Sequence, residues 1–348
     1  MSQIPILQPH FSKVQSRSRT YLDKGVTTKH QPHKPKKKSV LASERLEVRK
    51  ASKGLLVGLL DELNTMESKE ISDKVKLCGS KFSVITCGSH IVTRQPLFRC
   101  EHRLCPFCAS RQSKDKLKKY LPKAVAFVRH SPVPVTPCHL VLTLTHREGE
   151  TIRQAKKRLY DAFRKLIRRD FWEEHFAGGL YKIEATVDKN GLWHCHLHAV
   201  VFRKKFVKDL EQFRSEWLAV TGDSSVLRLD KLTDVRSGLV EVLKYITKPN
   251  DFEKYTVEHI RQLLELKGER MFGVFGEFSK FARKYTPSDN EMNELFERFD
   301  YAEGDCCPHC ENPLFSVILS DSATIDFCRR LESMPKPKMN KIGHLKKE

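Results

Sequence analysis

Residues 193–202 read WHCHLHAVVF, with imidazoles at His194, His196 and His198 and small or apolar side chains at Cys195, Leu197, Ala199 and Val201. Side chains on a strand alternate between its two faces. As a strand, this stretch turns three histidines one way and four core-forming residues the other. Two neighbouring segments alternate in the same manner. In CHLVLTLT (138–145), Leu140, Leu142 and Leu144 oppose His139, Thr143 and Thr145. In LYKIEATV (180–187), Tyr181, Ile183, Ala185 and Val187 oppose Lys182, Glu184 and Thr186. The intervening DKNG (188–191) is an Asn-Gly hairpin turn, which sets the histidine strand beside that of Glu184. Three strands therefore offer an apolar face to helices and leave a polar face free, with the histidines near Glu184.

Helical patterns separate these strands. TIRQAKKRLYDAFRKLIRR (151–169) places Ile152, Ala155, Leu159, Ala162, Phe163 and Leu166 on one face. FVKDLEQFRSEWLAV (206–220) reads as a helix, SSVLRLDKL (224–232) as a short strand, and VRSGLVEVLKYITK (235–248) as a helix stopped by Pro249. The order β-α-β-β-α-β-α predicts an α+β fold: an antiparallel ferredoxin-like or RNA-recognition-like sheet with helices on one face. Upstream, a helix is expected from about Ser43 to Glu70. KDKLKKYLPKAVAFVRH (114–130) is expected to form a basic amphipathic helix, interrupted or capped at Pro122.

The 348 residues are ample for a large core, and the formal charge is +20. That charge is concentrated at the ends. Residues 1–50 carry twelve Lys/Arg against three Asp/Glu, and Pro335–Glu348 five against one. Such a distribution attracts polyanions, nucleic acid first among them. Residues 1–42 lack periodicity and are expected to be a disordered basic arm, and 335–348 a basic tail. No apolar run is long enough for a membrane span, and the opening MSQIPILQPHFSK lacks the layout of a secretory signal. The eleven cysteines are accordingly expected to be thiols or metal ligands in a reducing cytoplasm.

Three constellations carry chemistry. Imidazoles at i and i+2 on a strand project together, so His196 and His198, with Glu184 and His194 as candidate third ligands, can grip a divalent ion. The carboxylate tilts preference towards Mg²⁺ or Mn²⁺. An isolated His-x-His is commonly a surface ladder; three in register facing a carboxylate favour the ligand set. In EVLKYITK (241–248), Glu241, Lys244, Tyr245 and Lys248 fall on one helical stripe. A tyrosine among lysines can attack phosphorus, and a nearby glutamate can activate water; a solvated Glu–Lys face is the plainer alternative. Third, Cys100, Cys105 and Cys108 suggest a zinc knuckle, with Cys87 as a fourth thiolate. CCPHC adds a second knuckle at Cys307 and Cys310. The two knuckles can share one ion or hold one each, with Cys87 and Cys306 or Cys328 filling in. Cys78, Cys138 and Cys195 read as buried free thiols.

HLVLTLT, HCHLHAVVF and EVLKYITK, in this order, resemble the three motifs of rolling-circle replication initiators of the HUH endonuclease superfamily. More narrowly they resemble plasmid Rep proteins with a single tyrosine preceded one turn earlier by an acidic residue. CEHRLCPFCASR (100–111) is similar to that family's upstream cysteine element. The resemblance spans about residues 135–280, and Cys195 departs from it where proline is frequent. It implies Tyr245 as the nucleophile, Glu241 as the carboxylate of the terminating cleavage, Lys244 and Lys248 as supporting cations, and His196 and His198 as ligands of Mg²⁺ or Mn²⁺. It also implies a single-stranded or hairpin origin as substrate, host helicase and polymerase as partners, and a bacterial or archaeal cytoplasm. The expected organisation is a helical, Cys-rich zinc-binding segment at 43–134, a nicking domain at 135–250, and a helical extension with the second Cys cluster at 251–334. A transposase or relaxase of the same superfamily, or a non-catalytic zinc-ribbon nucleic-acid-binding protein, are the competing readings.

Overall fold

The computed structural model describes residues 42–243, 251–296, 306, 307 and 309–333. The arm at 1–41, the tail at 334–348, and Lys244, Tyr245 and Lys248 lie outside the described residues. Along the chain run α1 (Ala42–Leu63), α2 (Met66–Leu77), β1 (Lys81–Thr86), β2 (Ile91–Pro96), α3 (Pro106–His130), β3 (Thr136–Thr143), α4 (Ile152–Leu166) and α5 (Asp170–His175). Then come β4 (Phe176–Val187), β5 (Trp193–Arg203), α6 (Leu210–Thr221), β6 (Leu227–Lys231), α7 (Val235–Val242), α8 (Val257–Glu265), β7 (Phe272–Phe275), α9 (Gly276–Lys284), α10 (Asp289–Leu295), β8 (Phe315–Ser320) and α11 (Asp321–Ser333).

The larger sheet has strand order β6-β3-β5-β4-β7, antiparallel throughout. Its first four strands have the ferredoxin-like arrangement expected from the βαββαβ order. The hairpin at 188–191 is built as an Asx-type turn: Asp188 Oδ1 accepts from the amides of Asn190 and Leu192, each at 2.9 Å, and Gly191 takes φ +77°. β7 is an added edge strand on β4, from a stretch expected to be helical.

The apolar face packs as the alternation requires. Leu140, Leu142, Ile183, Ala185, Leu197, Ala199 and Val201 are buried against α4, whose Ile152, Ala155, Leu159, Ala162, Phe163 and Leu166 face them. α4 opens on a capping box between Thr151 and Gln154.

The expectation of helices on one face only is corrected: the opposite face is covered as well. Leu180, Val200 and Phe202, on the histidine side of the sheet, pack with Leu121, Ala124 and Phe127 of α3, Leu239 and Val242 of α7, and Phe278 and Ala282 of α9. The alternation lapses over Ala199–Phe202, where consecutive apolar residues feed both faces. One end of that face is thus core, and only the other carries polar groups.

Two further expectations change. The helix expected over 43–70 divides at Asn64, which adopts φ +54°; Thr65 then caps α2 in a capping box with Ser68. α3 runs through Pro122 instead of ending there. Leu121, Pro122 and Ala124 are buried, so packing offsets the one hydrogen bond that proline forfeits.

β4 enters the sheet at Gly178-Gly179, where its register with β5 slips. A Cβ on Gly179 would lie 2.0 Å from the Val200 carbonyl oxygen. Since that obstacle is backbone, Gly179→Ala is expected to cost about 3 kcal/mol, seen as a lowered midpoint in denaturant unfolding.

A second, three-stranded sheet of order β2-β1-β8 joins 81–96 to 315–320 and brings the two cysteine-bearing regions together. Among the described residues no helix is long and apolar enough to cross a membrane.

Candidate active site and metal centres

On the larger sheet, β5 sits between β4 and β3. Glu184 is the register partner of His196 and Lys182 of His198, while Thr143 lies opposite His196 on the other side. This arrangement explains the contacts. Glu184 leans diagonally and places Oε2 3.0 Å from His198 Nε2. From β3, Thr143 Oγ1 lies 3.0 Å from His196 Nδ1, and His139 Nε2 lies 3.3 Å from His198 Nδ1. Each imidazole is therefore held at Nδ1 by a β3 side chain, so its Nε2 points away from β3. This is how a neighbouring donor or acceptor orients a metal-binding histidine. Glu184 and His139 are each 8% exposed, so the cluster lies at the bottom of the surface.

His194 continues the row. Its Nδ1 lies 3.1 Å from His196 Nε2, and its ring meets that of His146 edge-on at 4.2 Å. His146 Nδ1 is 3.1 Å from Asp188 Oδ2 in the hairpin turn. Desolvation, and then repulsion from His146, lower the pKa of His194 and so disfavour its charged form. Imidazoles and a carboxylate are donor types that suit a divalent ion, but among the described residues only the two cysteine-bearing groups bring three or more donor atoms within 4.8 Å of one another.

The nucleophile candidate Tyr245, with Lys244 and Lys248, falls outside the described residues. Glu241 belongs to α7 by its backbone. Leu243, two residues before Tyr245, is buried and lines a cleft with Lys182, Arg103 and Lys116. Lys182 is 6% exposed and is a cation that the sequence reading did not single out.

Seven of the eleven cysteines, with His90, form two groups, each with its donor atoms within 4.8 Å of one another. The first is Cys78, Cys100, Cys105 and Cys108; Cys108 Sγ lies 3.5 Å from Cys78 Sγ and 3.7 Å from Cys100 Sγ. The second is Cys87, His90, Cys307 and Cys310, with Cys87 Sγ 3.5 Å from Cys310 Sγ and also 3.5 Å from His90 Nδ1. A disulfide requires about 2.05 Å, whereas ligands about 2.3 Å from a tetrahedral ion stand roughly 3.8 Å apart. The spacing is that of ligands, and all eleven cysteines are free thiols.

These groups correct the expected pairing. Cys87 does not complete the first knuckle: it sits on the β1–β2 turn, in Cys-Gly-Ser-His, whose second donor is His90. The fourth thiol of the first group is Cys78, read earlier as a free thiol, which ends α2 at its C-cap. Cys306 and Cys328 belong to neither group; Cys306 is exposed, and Cys328 Sγ accepts from Arg94 Nη1 at 3.0 Å. The two knuckles fall in separate groups, each with four donors of its own, so they are not arranged around one common centre. Ionisation is uneven within each group: the thiols of Cys100, Cys105 and Cys310 are pushed up, whereas at Cys87 burial opposes ionisation but hydrogen bonds from His90, the Ser89 backbone, Cys310 and Cys307 hold its pKa down at about 6. Cys108 is likewise held far below the usual thiol range by Cys100, Cys105 and Cys78.

The model of a family described as replication protein matches residues 92–309. Among curated proteins, a Protein rep of Lentilactobacillus hilgardii is 24% identical over 245 residues, 63% of this chain and 76% of the relative. A Protein rep of Staphylococcus aureus is 26% identical over 196 residues, 52% of this chain and 83% of the relative. No solved structure matches significantly.

Proposed function

This chain belongs to the replication-protein family, and on that premise we propose that it initiates rolling-circle replication of a plasmid by nicking and rejoining single-stranded origin DNA. The observation that carries the reading is the pair His196 and His198, each held at Nδ1 from β3, with Glu184 Oε2 3.0 Å from His198 Nε2. A divalent Mg²⁺ or Mn²⁺ held by His196, His198 and Glu184, with His194 at its side, would polarise the scissile phosphate.

The chain's own residues do the rest. The Tyr245 hydroxyl attacks phosphorus in line as its proton is lost; the bond from phosphorus to the 3′ oxygen breaks. The products are a 5′-phosphotyrosyl link and a free 3′-hydroxyl that primes synthesis. Lys244 and Lys248 offset the charge that develops on phosphorus. At the end of the round, Glu241 takes a proton from water or from a new 3′-hydroxyl, which displaces Tyr245. The two cysteine groups, in this reading, hold structural Zn²⁺, the second as a two-knuckle ribbon over β2-β1-β8. The partners are the origin hairpin and the host helicase and polymerase, in the bacterial cytoplasm.

The test is incubation with a 3′-labelled single-stranded origin oligonucleotide. A covalent protein–DNA adduct is expected with Mn²⁺ or Mg²⁺ and none after chelation of the ion. His198→Ala is expected to lower adduct formation by at least about 100-fold at fixed metal. Adduct formation insensitive to chelation and to His198 would refute the metal-assisted reading.

A further inference from the structure

α1, β2 and the start of α3 enclose a cleft of about 130 Å³. Five cations line it: Arg49 from α1, Arg94 from β2, Arg99 from the loop that follows, and Arg111 and Lys114 from α3. No carboxylate is among the lining residues. Arg49 Nη2 donates to Ser110 Oγ at 3.0 Å, which fixes one guanidinium at the wall. Arg94 Nη1 donates to Cys328 Sγ at 3.0 Å, and its charge helps to lower the pKa of Glu332; Arg111 Nε lies 3.8 Å from the exposed Asp115. Desolvation and the charges of Arg49, Arg94 and Arg45 lower the pKa of Lys114. Like charges held together in this way repel one another, and a bound polyanion offsets that cost.

The first cysteine group supplies part of the compensation, since Cys108 lines the same cleft. Four thiolates on one divalent ion leave two negative charges, however, and five cations exceed them. The aromatic rings that line it, Phe82 and Phe107, are 2% and 7% exposed and offer no surface for base stacking; Phe98, 41% exposed, precedes Arg99 but is not part of the lining. Single-strand sites combine cations with exposed aromatics; a site of cations alone reads the phosphate backbone, as a duplex presents it. The cleft is also separate from the nicking face. Ala109, Gln112, Ser113 and Lys116, on the other side of α3, line the cleft that holds Lys182, so the two lie about a helix diameter, ~10 Å, apart.

We propose that this cleft is a second DNA-contacting site, which takes backbone phosphates of duplex DNA flanking the nick. It deepens the reading of the chain as an initiator acting on origin DNA and rests on that reading. Its role is to hold the stem of the origin while the single strand is cut on the sheet.

The test compares wild type with Arg99→Ala/Lys114→Ala by fluorescence anisotropy, on a labelled duplex and on one of its strands, over a salt series. The duplex Kd is expected to rise about tenfold, with the slope of log Kd against log salt reduced by up to about 2. Single-strand binding and metal-dependent nicking of a short single-stranded oligonucleotide are expected to stay within twofold of wild type. Lys157→Ala/Lys165→Ala on α4 removes the same net charge elsewhere and is expected to leave the duplex slope unchanged. Unchanged duplex binding, an equal loss on the single strand, or an equal loss from the α4 pair would each overturn the proposal. So would a fall in bound metal in the Arg99/Lys114 variant, because the cations would then serve the thiolates. Failure of nicking in wild type, with duplex binding still dependent on Arg99 and Lys114, would strike the proposed chemistry and leave this site standing.

Discussion

Tyr245→Phe is expected to abolish the covalent adduct and to lower nicking of single-stranded origin DNA by at least about 10⁴-fold. Phenylalanine keeps the ring and loses only the attacking oxygen, so DNA binding measured on the same oligonucleotide should stay within a few-fold of wild type. Three other tyrosines, Tyr181, Tyr255 and Tyr285, are poor substitutes. Burial, and then the Tyr160 hydroxyl, push the Tyr181 phenol well above its ordinary pKa, and Tyr181 lies on the apolar face of the sheet. Tyr255 is buried and donates to the Ala185 carbonyl at 3.4 Å. Hydrogen bonding to Glu291 raises the pKa of Tyr285. Glu241→Gln supplies the contrast: the adduct should still form, then persist, with its hydrolysis slowed by about 10²-fold or more. A Tyr245→Phe protein that still captures labelled DNA would remove Tyr245 from the chemistry.

The alternation of residues 138–145, 180–187 and 193–202 made the antiparallel sheet legible, because one buried face forces a period of two. It also placed Glu184 beside the histidines, and the register bears out that adjacency. Two features were harder to read. The second covered face followed from Val200 and Phe202, whose apolar character was legible, but partners as distant as Phe127 and Phe278 were not. The orienting contacts of His139 and Thr143 depended on β3 pairing with β5 and not with β4, which no local pattern specifies. The cysteine groups show the same division. Cys105-Pro-Phe-Cys108 and Cys307 with Cys310 were visible as knuckles, and Cys87-Gly-Ser-His90 carried a legible ligand spacing once histidine was admitted as a donor. Which knuckle Cys87 joins was decided by β1 pairing with β8, more than two hundred residues away, and Cys78 was brought to Cys108 by the end of α2.

That division makes the cysteine groups separable by mutation. Wild type is expected to bind two zinc ions per chain. Cys105→Ser and Cys78→Ser should each remove one, and Cys87→Ser should remove the other; Cys306→Ser should remove none, since Cys306 is exposed and outside both groups. The first group ties the end of α2 to the start of α3 through buried sulfurs, two of them, Cys78 and Cys105, fully enclosed. A structural zinc contributes on the order of 10 kcal/mol to a small metal-dependent fold, against a total stability of about 5–15 kcal/mol for a typical domain. Cys105→Ser should therefore unfold this region, with protease cleavage between α2 and α3 and a broadened thermal transition, while the larger sheet keeps its own core. Because α3 also covers the histidine face through Leu121 and Phe127, nicking should fall together with zinc. Full zinc content and full nicking in Cys105→Ser would show that the four sulfurs are close-packed thiols and nothing more. Loss of zinc with nicking intact would show that the larger sheet holds its site without help from the cysteine-bearing region.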